Sequence, residues 1–212
     1  MALSYTLLTG AKSGTGTIKD WVNQSVVPVT EILTEAESYI YQTLRAREML
    51  RETSWSAALG ASTLALPVAS ASIYAMIEPI TLSVDGIYPK PDGMDYVHEA
   101  LFNQYRDEDG ALLTGTPNEW TIFNEVINFN FELDEALAGD FLYYGQPPAL
   151  SASNETNFLT NRFPTLLRQV CTMFSYEYLK QLDARAEQKV LADDAIAKAN
   201  AVADGVRRGQ WR

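Results

Sequence analysis

The sequence predicts an α+β protein that is mainly α, in which a helical bundle built from long N-terminal and C-terminal helices carries an inserted small antiparallel β subdomain. Apolar residues recur at spacings of three and four in residues 28–50 and again from residue 157. Between these stretches the pattern alternates and turn residues are frequent. The predicted organisation is a flexible N-terminal arm (1–16), a helical bundle (17–53 and 157–206), an acidic strand-rich insert (54–156) and a basic C-terminal tail (207–212).

The N-terminal helices follow a short arm. Residues 1–16 are small, polar and glycine-rich, which is typical of a loop. Thr17 is placed to cap a short helix that carries Ile18 and Trp21. Pro28 suits the first turn of the next helix, predicted over residues 28–50, because the N–H that proline lacks is unpaired there anyway.

The insert is predicted to consist of strands joined by tight turns. Asp85-Gly86 is a hairpin turn signal, and a second hairpin is predicted across Asn124-Glu125. Residues 140–145 form a further strand before two prolines. Residues 95–105 carry apolar side chains at helical spacing and predict a short helix.

The helical period returns after residue 157. Pro164 marks a helix start, and the stripe that follows contains Leu167, Cys171 and Phe174. A lone cysteine in such a stripe is expected to be a small buried thiol. A second, alanine-rich stripe continues to Gly205, which is a candidate C-cap.

Charge is distributed unevenly along the chain. The net charge is −11, yet residues 54–157 hold fifteen acidic and two basic residues. Such an acidic surface disfavours nucleic-acid binding, although it is compatible with lining a DNA passage. The sequence shows no apolar run of the roughly 18 residues that would cross a bilayer and no signal-peptide pattern.

The sequence contains no recognisable catalytic, cofactor or metal site. It has no nucleophile elbow, P-loop or dinucleotide-binding fingerprint, and the order of residues in the glycine-rich segment 10–16 is wrong for a phosphate cradle. His98 is the single histidine, and no nucleophile is suggested near it. The acidic turn 107–110 lacks the spacing of a calcium loop. We therefore predict no enzyme activity, no cofactor and no metal.

The basic tail is the best candidate for a partner-binding site. Tryptophan and arginine are enriched at binding hot spots, and the alternative is a frayed, solvated end. The candidate residues are Arg207, Arg208, Trp211 and Arg212.

Several segments together resemble a known family. They are IKDWVN, ILTEAESYIYQTLRAREM, GTPNEWTIF, LYYGQPPALS and TNFLTNRFPTLLRQVC. In combination they resemble the head-to-tail adaptor, or head completion, proteins of tailed bacteriophages, particularly short-tailed ones. The resemblance runs from about residue 17 to the last helix.

The resemblance implies a virion protein at the junction of capsid and tail, assembled in the host cytoplasm. It implies a homo-oligomeric ring, usually of about twelve copies, that docks on the portal protein and presents a platform to nozzle or fibre-bearing tail proteins. DNA passes through such a ring without specific binding. By the same analogy the tail 207–212 contacts the portal, and the acidic insert faces tail components or the lumen.

Two other functions remain open from the residues alone. One is a tail-associated cell-wall hydrolase, which needs two carboxylates about 5–9 Å apart in a cleft. The other is a ligand-binding module, which needs an aromatic-lined pocket on the sheet of the insert.

Overall fold

The computed structural model describes residues 3–14, 16–66, 75–84 and 94–210, with only the backbone described for residues 75 and 202–210. The chain forms two compact units. Unit 1 comprises residues 1–49 and 147–212, and unit 2 comprises residues 50–146. The predicted hairpin turn at Asp85-Gly86 lies outside the described residues.

Unit 1 contains all the α-helices that the structure describes. They are α1 (Tyr5–Thr9), α2 (Ile18–Trp21), α3 (Val29–Thr43), α4 (Phe158–Arg162), α5 (Pro164–Tyr178) and α6 (Leu182–Gln210), with a 3₁₀ turn at Arg47–Met49. Helix α5 packs against both α3 and α6. In the described part of the chain no helix combines the length and apolarity needed to span a bilayer.

Local sequence signals set several helix starts. Thr17 caps α2, and Asp20 completes a capping box with it. Asn157 caps α4 through its side chain. Pro164 is the first residue of α5, as predicted. The segment predicted as a flexible arm contains α1, in which Leu8 is fully buried.

Helix α3 ends at Thr43, not near residue 50. Asn200 of α6 accepts a hydrogen bond from the Arg45 N–H at 2.8 Å and donates one to the Thr43 carbonyl at 3.0 Å. The Arg45 guanidinium also donates to the carbonyls of Tyr41, Gln42 and Leu44. These bonds satisfy the carbonyls that a helix end leaves unpaired, so a distant side chain fixes the end of α3.

Helix α6 continues past the residue that was expected to stop it. Its backbone is helical through Gly205 to Gln210. Gly205 is therefore not a C-cap, and Arg207 and Arg208 lie on helical backbone.

Unit 2 contains all the strands that the structure describes. They are β1 (Leu50–Ala57), β2 (Thr63–Ala65), β3 (Ala75–Leu82), β4 (Asp95–Tyr96), β5 (Thr114–Gly115), β6 (Glu119–Phe123), β7 (Val126–Phe129), β8 (Glu132–Leu133) and β9 (Leu137–Gln146). They form one sheet in the order β1-β9-β3, a second in the order β2-β7-β6-β4, and the pair β5-β8. The β4-β6 and β5-β8 pairs are parallel and the others are antiparallel.

Buried aromatic residues form the core of unit 2. Trp120, Phe129 and Phe141 are fully buried in one cluster with Leu82 and Trp55. The predicted hairpin joins β6 to β7 across Asn124 and Glu125, both with φ between 50° and 60°. Two residues with positive φ are what a tight type I′ turn requires, so this prediction is confirmed.

The predicted fold class is wrong. The chain is a mixed α and β protein with 37% helix and 27% strand, in which the described strands form three sheets, and it is not a helical bundle with a small β insert. At two places the sequence predicts helix where the structure has strand. Residues 50–57 form β1, which pairs with β9 along its full length. Residues 95–105 form a short parallel strand followed by turns, because β6 provides a pairing edge for Asp95 and Tyr96.

Candidate interaction surfaces

The side chains considered for catalysis or metal binding take part in local structure. His98 is exposed after β4, where its Nδ1 accepts a hydrogen bond from the Ala100 N–H at 3.2 Å. The Asp107 carboxylate accepts the N–H groups of Asp109 and Ala111 at 3.0 and 2.9 Å, which closes the acidic turn. The residues that the structure describes include no group of three or more His, Cys, Asp or Glu side chains that could hold a metal.

The glycine-rich loop near the N-terminus wraps around a carboxylate of its own chain. The N–H groups of Ser13 and Gly14 donate to Asp20 Oδ1, and those of Gly16 and Thr17 donate to Oδ2, all within 2.8–3.1 Å. The Gly14 N–H, with help from Thr17 and Ser13, holds the pKa of Asp20 well below its ordinary range. These loop amides therefore bind Asp20 and do not form a cradle for an external anion.

Cys171 is fully buried in α5, as predicted. Burial raises the pKa of its thiol, and the negative charge of Glu37 raises it further. A neutral thiol with no access to solvent is a packing group and not a nucleophile.

A buried carboxylate ties the returning chain to α3. Glu37 is 3% exposed, and its Oε2 accepts the Leu150 N–H at 3.0 Å. Its Oε1 accepts the Asn157 side-chain amide at 2.8 Å and the Tyr41 hydroxyl at 3.3 Å. Burial raises the pKa of Glu37 despite these hydrogen bonds, so the carboxylate is retained in a place where its charge is costly.

Besides the contact made by Asn200, helix α6 makes a second polar contact with α3, and it keeps apolar side chains in solvent. The Tyr39 hydroxyl donates to Asp193 Oδ1 at 2.6 Å, and Lys189 pairs with the same carboxylate. Leu182, Val190 and Leu191 of α6 are exposed. An amphipathic helix normally buries such side chains, which makes the exposed surface of α6 a candidate contact surface.

A second candidate surface lies between α3 and α5. Two adjoining hollows of about 350 and 380 Å³ share Glu35 and Phe174 as lining residues. Glu31, Glu177 and Tyr178 also line the first hollow. This surface combines carboxylates with aromatic rings, a chemistry that suits arginine-containing segments.

A further surface hollow lies in unit 2. We call it the hairpin groove: its floor is the outer face of the β6–β7 hairpin, at Thr121, Phe123 and Asn128, and its wall is the loop 99–106. Its volume is about 500 Å³. It lies beside strands whose opposite face forms the core, because side chains alternate between the two faces of a strand.

The predicted partner-binding residues lie at the very end of the chain. Arg207 and Arg208 fall within the helical backbone of α6, but their side chains are not among those described. Trp211 and Arg212 lie outside the described residues. Their role as a portal contact stays a prediction.

Three features of the structure were not expected from the sequence, although two of them left a signal there. Asp20 follows Thr17 at capping-box spacing. Glu37 interrupts the apolar stripe of α3 between Leu33 and Ile40, which is where a buried, hydrogen-bonded acid would stand. The hairpin groove left no signal, because its wall was predicted to be a helix.

The chain matches a family of known proteins. The model of the SU10 adaptor protein family matches residues 6–212. A search of curated proteins finds no match.

Proposed function

Since the chain belongs to the SU10 adaptor protein family and is thereby a phage head–tail adaptor, we propose that it forms the ring that joins the portal of a short-tailed phage capsid to the tail. The observation that carries the proposal is the family match, which covers nearly the whole chain. In this role the protein is a structural part of the virion, assembled in the host cytoplasm, and has no enzymatic activity.

The ring is a closed homo-oligomer of about twelve copies. A ring joins two different surfaces of the same fold, because each copy contacts its two neighbours in a head-to-tail manner. The exposed Leu182, Val190 and Leu191 of α6 support this arrangement, since contact with a neighbouring copy would remove them from water.

The C-terminal residues Arg207, Arg208, Trp211 and Arg212 bind the portal. Arginine pairs bidentately with carboxylates, and tryptophan fills pockets on a partner, so a short segment of this composition is a strong anchor. Such an anchor places the copies side by side on the portal, so the ring is completed there.

Unit 2 faces tail components or the DNA channel. Its excess of carboxylates repels the phosphate backbone, so DNA passes during packaging and ejection without adhering. The same excess favours tail proteins that present basic surfaces.

Negative-stain electron microscopy of the purified protein, alone and mixed with its portal, tests this function. We expect rings on portal particles and smaller species without portal. A chain lacking residues 207–212 should stay folded, with unchanged helix content, but no longer co-sediment with portal. Trp211→Ala should weaken docking more than its matched control Arg212→Ala.

Two results would contradict the proposal. Normal portal binding by the truncated chain would move the anchor elsewhere on the protein. A monomer that ignores portal and cleaves cell-wall glycan, or binds a small ligand in unit 2, would favour the hydrolase or the ligand-binding module.

A further inference from the structure

The floor of the hairpin groove holds a polar atom without a partner. Thr121 is 3% exposed, and its Oγ1 has no hydrogen-bond partner among the residues that the structure describes. Buried hydroxyls are nearly always hydrogen-bonded, because losing water without replacement is costly. Thr121 faces its cross-strand neighbour Asn128 on the groove floor, so a ligand in the groove would supply the missing bond.

Apolar side chains border the same groove. Phe123 is 56% exposed at the end of β6, and Phe102 lines the opposite wall. Leu101, in the same loop, is also exposed. Aromatic side chains left in solvent around a polar floor match the composition of protein-binding clefts.

The neighbouring edge of β6 is open for part of its length. Strand β4 pairs only with Glu119 and Trp120, so within the described chain no strand covers Thr121–Phe123 on that side. The Trp120 carbonyl accepts the Val97 N–H from this side, and backbone groups two residues apart point the same way. The N–H and C=O of Ile122 therefore face the open edge, where an added strand can pair.

The part of unit 2 that contains the groove carries a net negative charge. Residues 94–146 contain eleven acidic residues and a single base, Arg106. Glu99 lines the groove and Glu125 stands exposed beside Phe123. The Arg106 guanidinium donates to the Gly110 carbonyl at 2.7 Å and to Gln104 Oε1 at 2.8 Å, which holds it against its own loop. The complementary ligand is cationic.

We propose that the hairpin groove binds an extended, cationic segment of a tail protein, which pairs with the edge of β6 and places an apolar side chain against Phe123. This inference rests on the proposed adaptor function and names the surface through which the adaptor holds the tail. The extended backbone matches the open edge at Ile122, the positive charge matches the surrounding carboxylates, and a polar group of the segment bonds to Thr121.

Site-specific photocrosslinking in assembled virions tests the location. The full chain carries p-benzoylphenylalanine in place of Phe123, or in place of Leu59 as the matched control, which is exposed in unit 2 between β1 and β2. We expect position 123 to cross-link to a lysine- or arginine-rich segment of a tail protein and position 59 to give no such product.

The outcomes separate the two hypotheses. If the chain is absent from virions, the adaptor function itself fails. If the chain is present and position 123 links to portal, to residues 207–212 of a second copy, or to nothing, the adaptor function stands and the groove proposal is overturned.

Binding by purified protein tests the chemistry. The probe is a set of 15-residue synthetic peptides tiled across the tail proteins of the same phage. Binding should be confined to cationic peptides and should weaken as salt rises. Phe123→Ser should weaken binding at least about tenfold, as expected for an aromatic anchor, and Leu59→Ser should not change it.

Thr121→Val distinguishes a ligand contact from a packing role. Valine keeps the shape and removes the unpaired hydroxyl, so thermal stability should be unchanged or higher. Peptide binding should still fall about fivefold, the value of one hydrogen bond. Unchanged binding, or a loss that appears only with a lower Tm, would overturn the proposed contact.

Discussion

Replacing Glu37 with alanine should destabilise unit 1 by about 3 kcal/mol. The Leu150 N–H would be left buried without an acceptor, at a cost of about 1–3 kcal/mol. In the variant the Asn157 amide and the Tyr41 hydroxyl no longer bind the carboxylate, but they keep their mutual hydrogen bond at 3.1 Å. Each group therefore loses about one ordinary hydrogen bond, which is about 1 kcal/mol. Release of a buried charge offsets part of the total.

The stability lost in Glu37→Ala should depend on pH. Burial raises the pKa of Glu37 above its ordinary 4.5, so the folded state holds the proton more tightly than the unfolded state does. The stability that Glu37 contributes is therefore fully present below about pH 4.5 and declines as pH rises through the folded pKa. The difference in unfolding free energy between wild type and Glu37→Ala should be larger at about pH 4 than at about pH 8.

Circular dichroism at 222 nm during urea unfolding measures this change, because all the described α-helices belong to unit 1. For a chain of this size, about 3 kcal/mol corresponds to a fall in Tm of about 6–12 °C. Glu35→Ala is the matched control, since Glu35 is exposed on the same helix and should change stability by less than about 0.5 kcal/mol. Equal stability of the Glu37 and Glu35 variants, or a loss that grows with pH, would refute the reasoning.

Four further predictions concern a close backbone approach, a buried thiol, a helix end and the net charge. Gly139→Ala should disrupt unit 2, because a Cβ at residue 139 would lie 2.0 Å from the Ser83 carbonyl oxygen; loss of native tryptophan fluorescence measures this, and Ala138→Ser, at an exposed neighbour, should leave the signal unchanged. Cys171→Ala should cost about 1 kcal/mol and leave assembly intact, while the native thiol should react slowly with a thiol reagent; rapid labelling would disprove its burial. Asn200→Ala should cost about 1–2 kcal/mol in urea unfolding, as the loss of other helix caps does, and a neutral result would mean that α3 ends without it. The intact protein should not shift duplex DNA in a gel at low salt, and a tight, salt-sensitive complex would contradict the charge argument.

The sequence predicted those elements whose signals are local. The β6–β7 hairpin follows from Asn124-Glu125 between alternating strands, and the start of α5 follows from Pro164. The burial of Cys171 follows from its position in an apolar stripe. In each case the residues that decide the structure lie within a few positions of one another.

The predictions were wrong where the local structure depends on residues that are distant in the sequence. The end of α3 depends on Asn200, which is more than 150 positions away from Thr43, and helical propensity alone would have carried the helix to residue 50. Residues 95–96 form a strand because β6 is available to pair with them. The wall of the hairpin groove is formed by turns where the sequence predicts a helix, so local periodicity could not predict the groove.

The first and last strands of unit 2 are partners of each other. Strand β1 leaves unit 1 at Leu50, and β9 returns to it after Gln146, with Leu50 opposite Tyr144. Opposed residues in an antiparallel pair lie about 5 Å apart, so the chain returns almost to the point at which it left. Topologically, the ninety-odd residues between them are an insertion, because a tight turn of a few residues could join the start of β1 to the end of β9. Such an insertion can be lengthened, shortened or exchanged for another without changing the order of the helices, so unit 2 can diversify while the helical part of the chain stays the same.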